Sequence, residues 1–218
     1  MVELLHTDCM EYMATLPDKA FELAIVDPPY GIGVMDSNPI ANKSGDKNHN
    51  YATGKSQEWD SSAPSQAYFD ELKRVSKEQI IWGGNYFLDH LGYCKAPIIW
   101  DKLNGMSMYA DGEMAWTSKG LPRNLRIFKH QWCGAFKDSE RNAIKIHPTQ
   151  KPVQLYKWLL KNYAKEGDRI LDTHLGSGSS AIAAFDGGFD FVGCEIDADY
   201  YAAAVKRFNI HKMQQVLF

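Results

Sequence analysis

The last quarter of the chain narrows the possible folds most. "RILD" is a short apolar strand, and "THLGSGS" a glycine-rich turn. "SAIAAFDGG" is a helix closed by glycines, "DFVGCEID" a second strand, and "ADYYAAAVKRFNIHK" a second helix. Strand, helix, strand, helix in this order is a βαβα unit, and two strands joined by a helix run parallel. The predicted class is therefore α/β with a doubly wound, mostly parallel sheet. A further helix over roughly residues 152–164, with Pro152 tolerated at its start, leads into this unit.

Upstream, "VELLHTD" reads as a strand, "CMEYMATLP" as a helical turn or two, and "FELAIVD" as a strand apolar enough for burial on both faces. "PSQAYFDELKRVS" is a helix with Ser65 as N-cap. "QIIWGG" and "APIIWDK" are strands, and "NYFLDHLG" is a helix. "GEMAWTS" and "NLRIFKH" are predicted to pair as antiparallel strands. Residues 33–65, rich in Ser, Asn, Lys and Gly and without period, read as a long flexible loop of the kind that serves as a functional lid or stays disordered. At 218 residues the whole is one domain.

The glycine turn points to a ligand. Gly176-Ser-Gly178-Ser-Ser-Ala181 fits G-x-G-x-x-A between a strand and a helix. Glycines there let a ligand approach the backbone, and the helix start favours electron-rich groups. Glu195, 19 residues after Gly176 at the end of the next strand, can accept hydrogen bonds from ribose hydroxyls. S-adenosylmethionine (AdoMet) and NAD satisfy this half of the chain equally. A tight turn without ligand, with Glu195 and Asp197 as solvated strand-end acids, satisfies it too.

A second feature breaks that tie. In "AIVDPPYGIG" an apolar strand runs into Asp27-Pro28-Pro29-Tyr30. The carboxyl end of a parallel strand is where α/β sheets place ligands. Two prolines fix φ and remove two N–H donors. The Asp27 carboxylate and the Pro28 carbonyl then make a stiff acceptor pair, and Tyr30 adds a flat face. This suits a planar ring bearing an NH2 group. Such a nitrogen is a poor nucleophile because its lone pair is delocalised. Two acceptors on its hydrogens localise the pair and stabilise the positive charge that develops as it attacks a methyl group. Tyr30 stacks on the ring and holds it in line. A base in a duplex reaches such a pocket only when flipped out.

Taken with "LDTHLGSGS", this tetrapeptide resembles that of the AdoMet-dependent amino-methyltransferases of DNA bases. The Asp form is typical of those acting on adenine N6, the Ser form of cytosine N4. The catalytic tetrapeptide precedes the AdoMet loop, with a basic segment between them, as in the permuted β group. "HTD", "DPPYG", "IIWGGNYF", "IIWDK", "HPTQKP", the glycine loop and "GCEID" have counterparts in the same order. The resemblance implies a class I, Rossmann-like AdoMet methyltransferase fold with a small target-recognition insertion at 119–146. It implies a site-specific adenine-N6 methyltransferase, with cytosine-N4 or RNA methylation as the alternative and an NAD-dependent oxidoreductase more remote. Catalysis falls to Asp27, Pro28, Pro29 and Tyr30, with no metal. The cofactor falls to Asp8 and Cys9 at the first strand end and to His147, Thr149 and Lys151 before the helix. It falls also to Asp172, Thr173, Leu175, Gly176, Gly178 and Ser179 in the loop, and to Glu195 and Asp197. An N-cap role for Asp8 fits alongside.

Net charge is −3, which alone argues against a nucleic-acid partner. Its distribution says otherwise: residues 119–151 carry +6, leaving −9 elsewhere. Lys119, Arg123, Arg126, Lys129, His130, Trp132 and Arg141 are the candidate contacts to double-stranded DNA, the cations for phosphates and the aromatics as wedges. A solvated hairpin face is the plainer reading of the same segment. No apolar run approaches the ~18 residues of a membrane span. With no signal-like start and four dispersed cysteines, the expectation is a cytoplasmic chain with reduced thiols and no zinc site. A homodimer and a cognate restriction nuclease are the partners the resemblance suggests.

Overall fold

The computed structural model describes residues 1–32, 62–105, 110–133, 136–140 and 145–215. Most of the 33–65 segment, and Arg141, lie outside them. The elements run in order: β1 (Val2–His6), α1 (Cys9–Ala14), β2 (Phe21–Val26), α2 (Gln66–Val75), β3 (Ser76–Trp82) and α3 (Leu88–Leu91). Then come β4 (Ile98–Asp101), β5 (Gly112–Thr117), β6 (Arg126–Lys129), β7 (Trp132–Cys133) and β8 (Phe136–Lys137). Last are α4 (Val153–Tyr163), β9 (Arg169–Asp172), α5 (Ser179–Asp186), β10 (Asp190–Glu195) and α6 (Ala198–Gln215).

Eight strands form one sheet in the order β1-β10-β9-β2-β3-β5-β4-β6. Among the described strands of this sheet, only β5 is antiparallel to its neighbours, while β7 and β8 pair antiparallel as a separate hairpin. From β9 the chain proceeds outward to β10, and from β2 it proceeds the opposite way to β3. The strand order reverses between β9 and β2, and ligands of open α/β sheets bind at the carboxyl ends of strands at such a point.

Alternation along the central strands builds two cores. Leu23 and Ile25 of β2, Ile80 and Trp82 of β3, Ile170 and Phe191 join one cluster with Leu155, Leu159, Ile182 and Phe208. Ala24 and Val26, Ile81, Leu171 and Val192 face the other way, against Met13, Phe69, Leu72 and Phe87. Helices α4, α5 and α6 thus cover one face, and α1 and α2 the other. This is why the central strands read as continuous apolar runs rather than alternating ones.

Two expectations need correction. β5 and β6 do not pair with each other. β5 lies between β3 and β4, which occupy both its edges, and β6 runs parallel along the far edge of β4. "NYFLDHLG" is not one helix: a 3-10 turn over Gly84–Tyr86 precedes the single-turn α3, which stops at Gly92 with φ 73°. Ser65 is the N-cap of α2 as expected, in extended backbone, without a capping bond from its hydroxyl.

Ile80 is fully buried at the centre of the sheet. Its replacement by Ala should lower unfolding free energy by about 2–5 kcal/mol, from lost transfer energy plus the cavity left behind. Urea denaturation measures it.

Candidate active site

Asp27 follows the last residue of β2, so its carboxylate stands at the switch point. Only 14% of its side chain is exposed. The Tyr30 hydroxyl donates to its Oδ1 at 2.7 Å, and Lys151 Nζ donates to its Oδ2 at 2.5 Å. Lys151 also donates to the Tyr30 oxygen at 3.3 Å and pairs with Glu113 Oε2 at 3.1 Å. Lys102 Nζ holds the other Glu113 oxygen at 2.5 Å. The result is a buried chain of alternating charge, Asp27–Lys151–Glu113–Lys102. Burial pushes the Asp27 carboxyl up, the Lys151 ammonium opposes this, and Glu113 adds to it. Burial also opposes ionisation of Glu113, but Lys151 and Lys102 together bring it down to about 2. Lys151 is raised because its two carboxylates outweigh its own desolvation.

Tyr30 is held from several sides. Its ring stacks on Tyr86 at 5.0 Å and 21°, and Phe87 meets its edge at 6.1 Å. Gly83, at φ 69°, lies so close that an added Cβ would stand 2.2 Å from the Tyr30 ring. The turn after β3 must therefore be glycine for Tyr30 to sit where it does.

Across the switch point, the turn after β9 forms the second half. Gly176 (φ 51°) and Gly178 (φ 73°) adopt left-handed conformations, and Gly178 caps α5. Asp172 is buried and spends both oxygens on the turn, accepting from Ser180 Oγ at 2.6 Å and the His174 amide at 3.0 Å. Desolvation raises it to about 7. The Thr173 hydroxyl lies 2.6 Å from Tyr68 Oη. The Leu175 amide donates to the Cys194 carbonyl at 2.8 Å, which pins the turn to β10. Ser179 donates to the Lys151 carbonyl at 2.7 Å, so loop and acceptor site share a residue. Glu195 accepts from the amides of Gly176 at 2.8 Å and Asp197 at 3.0 Å.

Asp8 stands beside this turn, at the end of β1, and its Oδ1 accepts from the Met10 amide at 2.6 Å as N-cap of α1. Asp197 accepts from the amides of Asp199 and Tyr200, at the start of α6. Cys9 is half-buried, and burial with Asp8 pushes its thiol up to about 12. Asp8, Glu195 and Asp197 thus rim the glycine turn, at the ends of the paired strands β1 and β10. An acidic rim suits the hydroxyls and cationic sulfonium of AdoMet and opposes a pyrophosphate. The residues present fit AdoMet better than a dinucleotide.

Before α4, His147 lies edge-on to Tyr200 at 4.4 Å and beside Gly176, with Thr149 Oγ1 3.1 Å from its Nδ1. Burial brings its pKa down to about 4. Lys151 was expected at the methionine end of the cofactor, but its ammonium goes to Asp27 and Glu113. The basic segment divides. Lys119, Arg123 and Arg126 are exposed at the amino end of the parallel strands, because β5 runs backwards and β6 starts there. Asp27 is at the opposite end. Lys129 is exposed at the carboxyl end. His130 is 8% exposed, with Nε2 2.9 Å from Ser139 Oγ. Trp132 donates to the Gln150 carbonyl at 3.0 Å, with Lys137 4.7 Å over its ring. Burial and bonding thus turn these two aromatics inward.

Sequence reasoning missed Glu113, Lys102, Gly83 and Arg207. Arg207 of α6 donates to the Ser177 carbonyl at 2.7 Å and pairs with Glu140 at 2.5 Å, tying the loop to the basic segment. An acid at the head of an otherwise apolar strand was the one available signal for Glu113.

The α/β fold is one that this chain shares with solved DNA methylase and methyltransferase structures. Residues 108–206 match the N6_N4_Mtase family model, described as DNA methylase. The type II methyltransferase M.HinfI of Haemophilus influenzae is 24% identical over 247 residues, 94% of this chain and 67% of its own. A crystal structure of an M1.HpyAVI–SAM complex superposes with TM-score 0.62 at 18% identity, covering 96% of this chain and all of the other. The PvuII DNA methyltransferase, described as cytosine-N4-specific, gives TM-score 0.57 at 14% identity over 95% of this chain and 86% of its own. The family model spans somewhat less than half of the chain, and these relatives are what the chain is similar to.

Two outcomes follow from this geometry. Gly83→Ala should displace Tyr30 and cost about 1–2 kcal/mol from left-handed strain alone, read by urea denaturation, with turnover falling and AdoMet affinity kept. His147 and His174 are both held near 4 by burial, whereas in the unfolded chain each binds a proton near 6.5. Over that window each unfolded histidine binds more proton than its folded counterpart, so the contribution of this pair to stability should fall as pH drops from about 6.5 towards about 4, against the buried Asp172, which is raised to about 7 and acts in the opposite sense. Replacing His174 with Phe should remove its share, so that the variant gains stability relative to wild type as pH falls through the window, read from unfolding curves.

Proposed function

We propose that this chain transfers a methyl group from AdoMet to N6 of an adenine in double-stranded DNA, at a specific short site, with the base flipped out of the helix. The observation that carries this is the placement of Asp27-Pro28-Pro29-Tyr30 and the glycine turn on either side of one switch point, joined by the Lys151–Ser179 bond. AdoMet supplies an electrophilic methyl group on a sulfonium. Gly176, Gly178 and Thr173 shape its seat, and Glu195 with Asp8 accepts hydrogen bonds from its sugar and base. Asp27 and the Pro28 carbonyl accept the two hydrogens of the target amine, localise its lone pair and stabilise the charge it acquires. Tyr30, braced by Tyr86 and Gly83, orients the ring. No strong base is required, because the methylated amine loses its proton readily to water.

The Asp at the head of the tetrapeptide supports adenine N6 over cytosine N4. The match to the DNA methylase family model and the likeness to the PvuII DNA methyltransferase support DNA as the substrate. Among the described residues expected to contact phosphates, Lys129 lies at the same end of the sheet as Asp27. A site-specific role beside a separate restriction nuclease, a homodimer and a cytoplasmic location belong to the same reading.

Purified protein, AdoMet and unmethylated plasmid should yield N6-methyladenine in nucleoside mass spectrometry. N4-methylcytosine would keep the pocket and overturn the base. Asp27→Ala should reduce methylation below detection while calorimetry shows AdoMet binding intact. Turnover retained in that variant would remove the assignment of Asp27.

A further inference from the structure

We propose that Lys151 and Glu113 are positioning residues for the target amine: Lys151 keeps Asp27 an ionised acceptor, and Glu113 stops Lys151 from neutralising it. This rests on the functional reading above for its purpose, but the electrostatic coupling it asserts is a property of the chain alone.

The geometry is a buried cation held by two acids from different parts of the fold. Lys151 is 4% exposed and comes from the segment before α4, Asp27 follows β2, and Glu113 lies on β5. An ammonium so buried is tolerated only when paired. The groups facing Asp27 are Tyr30, Tyr68 of α2, Tyr156 of α4, Asp172 of β9, Glu113 and Lys151. Lys151 is the one cation among these described neighbours. Without it, Asp27 would face two further carboxyl groups in a desolvated site and would take up a proton. A protonated Asp27 donates one hydrogen bond and no longer draws on the amine.

Glu113 sets the other side of the balance. With Lys151 at 2.5 Å from Asp27 and 3.1 Å from Glu113, one positive charge is shared between two negative ones. The trio carries a net negative charge towards an amine that becomes positive in the transition state. Lys102 holds Glu113's other oxygen and fixes the side chain on the far side. If Lys151 were free to sit on Asp27 alone, its charge would oppose the one that develops on the substrate.

The test is a carbon-13 carboxyl titration of Asp27, assigned with Asp27→Asn, in wild type, Lys151→Met, Glu113→Gln and the double variant. The expected order of Asp27 titration is Glu113→Gln lowest, then wild type, with Lys151→Met highest and the double variant below Lys151→Met. The acidic limb of the kcat–pH profile should move in the same direction in Lys151→Met. That costs about tenfold in rate at fixed pH per unit of displacement, with AdoMet affinity unchanged. The double variant should therefore be more active than Lys151→Met. A residue that merely supports folding, or that binds the cofactor, predicts a double variant no better than the single one. Should Lys151→Met fail to fold, the isosteric Glu113→Gln decides by its lower Asp27 titration. An Asp27 titration indifferent to Lys151 or Glu113 overturns the proposal. A wild-type protein that methylates no base overturns the functional reading and leaves the titration order standing.

Discussion

A lysine ammonium deep in a protein must find negative charge within a few ångströms or give up its proton. Lys151 finds it in Asp27 and Glu113, and most of the site depends on that arrangement. It brings the end of β2, the head of β5 and the segment before α4 to one point. Its carbonyl takes the Ser179 hydroxyl, so the same residue anchors the glycine turn. Acceptor and cofactor loop are thereby fixed relative to one another through a single residue. Transfer between two bound groups requires such fixed geometry, because misplacement on the order of 1 Å can cost about 10²-fold.

The glycine turn is held by a second set of buried polar bonds. Asp172 and Glu195 each accept hydrogen bonds from the turn or from its flanking residues. Arg207 reaches from α6 to Ser177 and Glu140. The loop is thus bonded within the protein at Leu175, Gly176, Ser177 and Ser179, and Asp8, Glu195 and Asp197 stand at the ends of β1 and β10 beside it. These acids keep lone pairs beyond those used by backbone amides, since each carboxylate oxygen has two. Capping and ligand contact are therefore compatible at Asp8, and the plainer reading of that residue does not exclude the functional one.

Charge on the far side of the molecule is arranged less simply than along the chain. The described basic residues from Lys119 to Lys129 are close in sequence but are split by β6, which carries the chain from one end of the sheet to the other. Lys119, Arg123 and Arg126 go to the end away from Asp27, and Lys129 to the near end. His130 and Trp132 are drawn inward by Ser139 and Gln150. A charge run in sequence becomes a surface patch only if the strand directions allow it.

The sequence alone determined the doubly wound class, because the βαβα pattern and two-sided apolar strands admit little else. It also determined the two halves of the site, because Asp-Pro-Pro-Tyr and the glycine turn are local chemistry: prolines fix φ, and glycines permit it to be positive. Helix α4 fell where Pro152 placed it. Only the tertiary structure decided that β5 enters the sheet between β3 and β4, since strand pairing over such distances is set by which edges remain open. Only it brought the Lys151 ammonium to Asp27 and set Glu113, 86 residues from Asp27 and 38 from Lys151, on its other side. Local backbone preference is written in neighbouring residues, whereas the partner of a buried charge is chosen by the packing that takes it out of water.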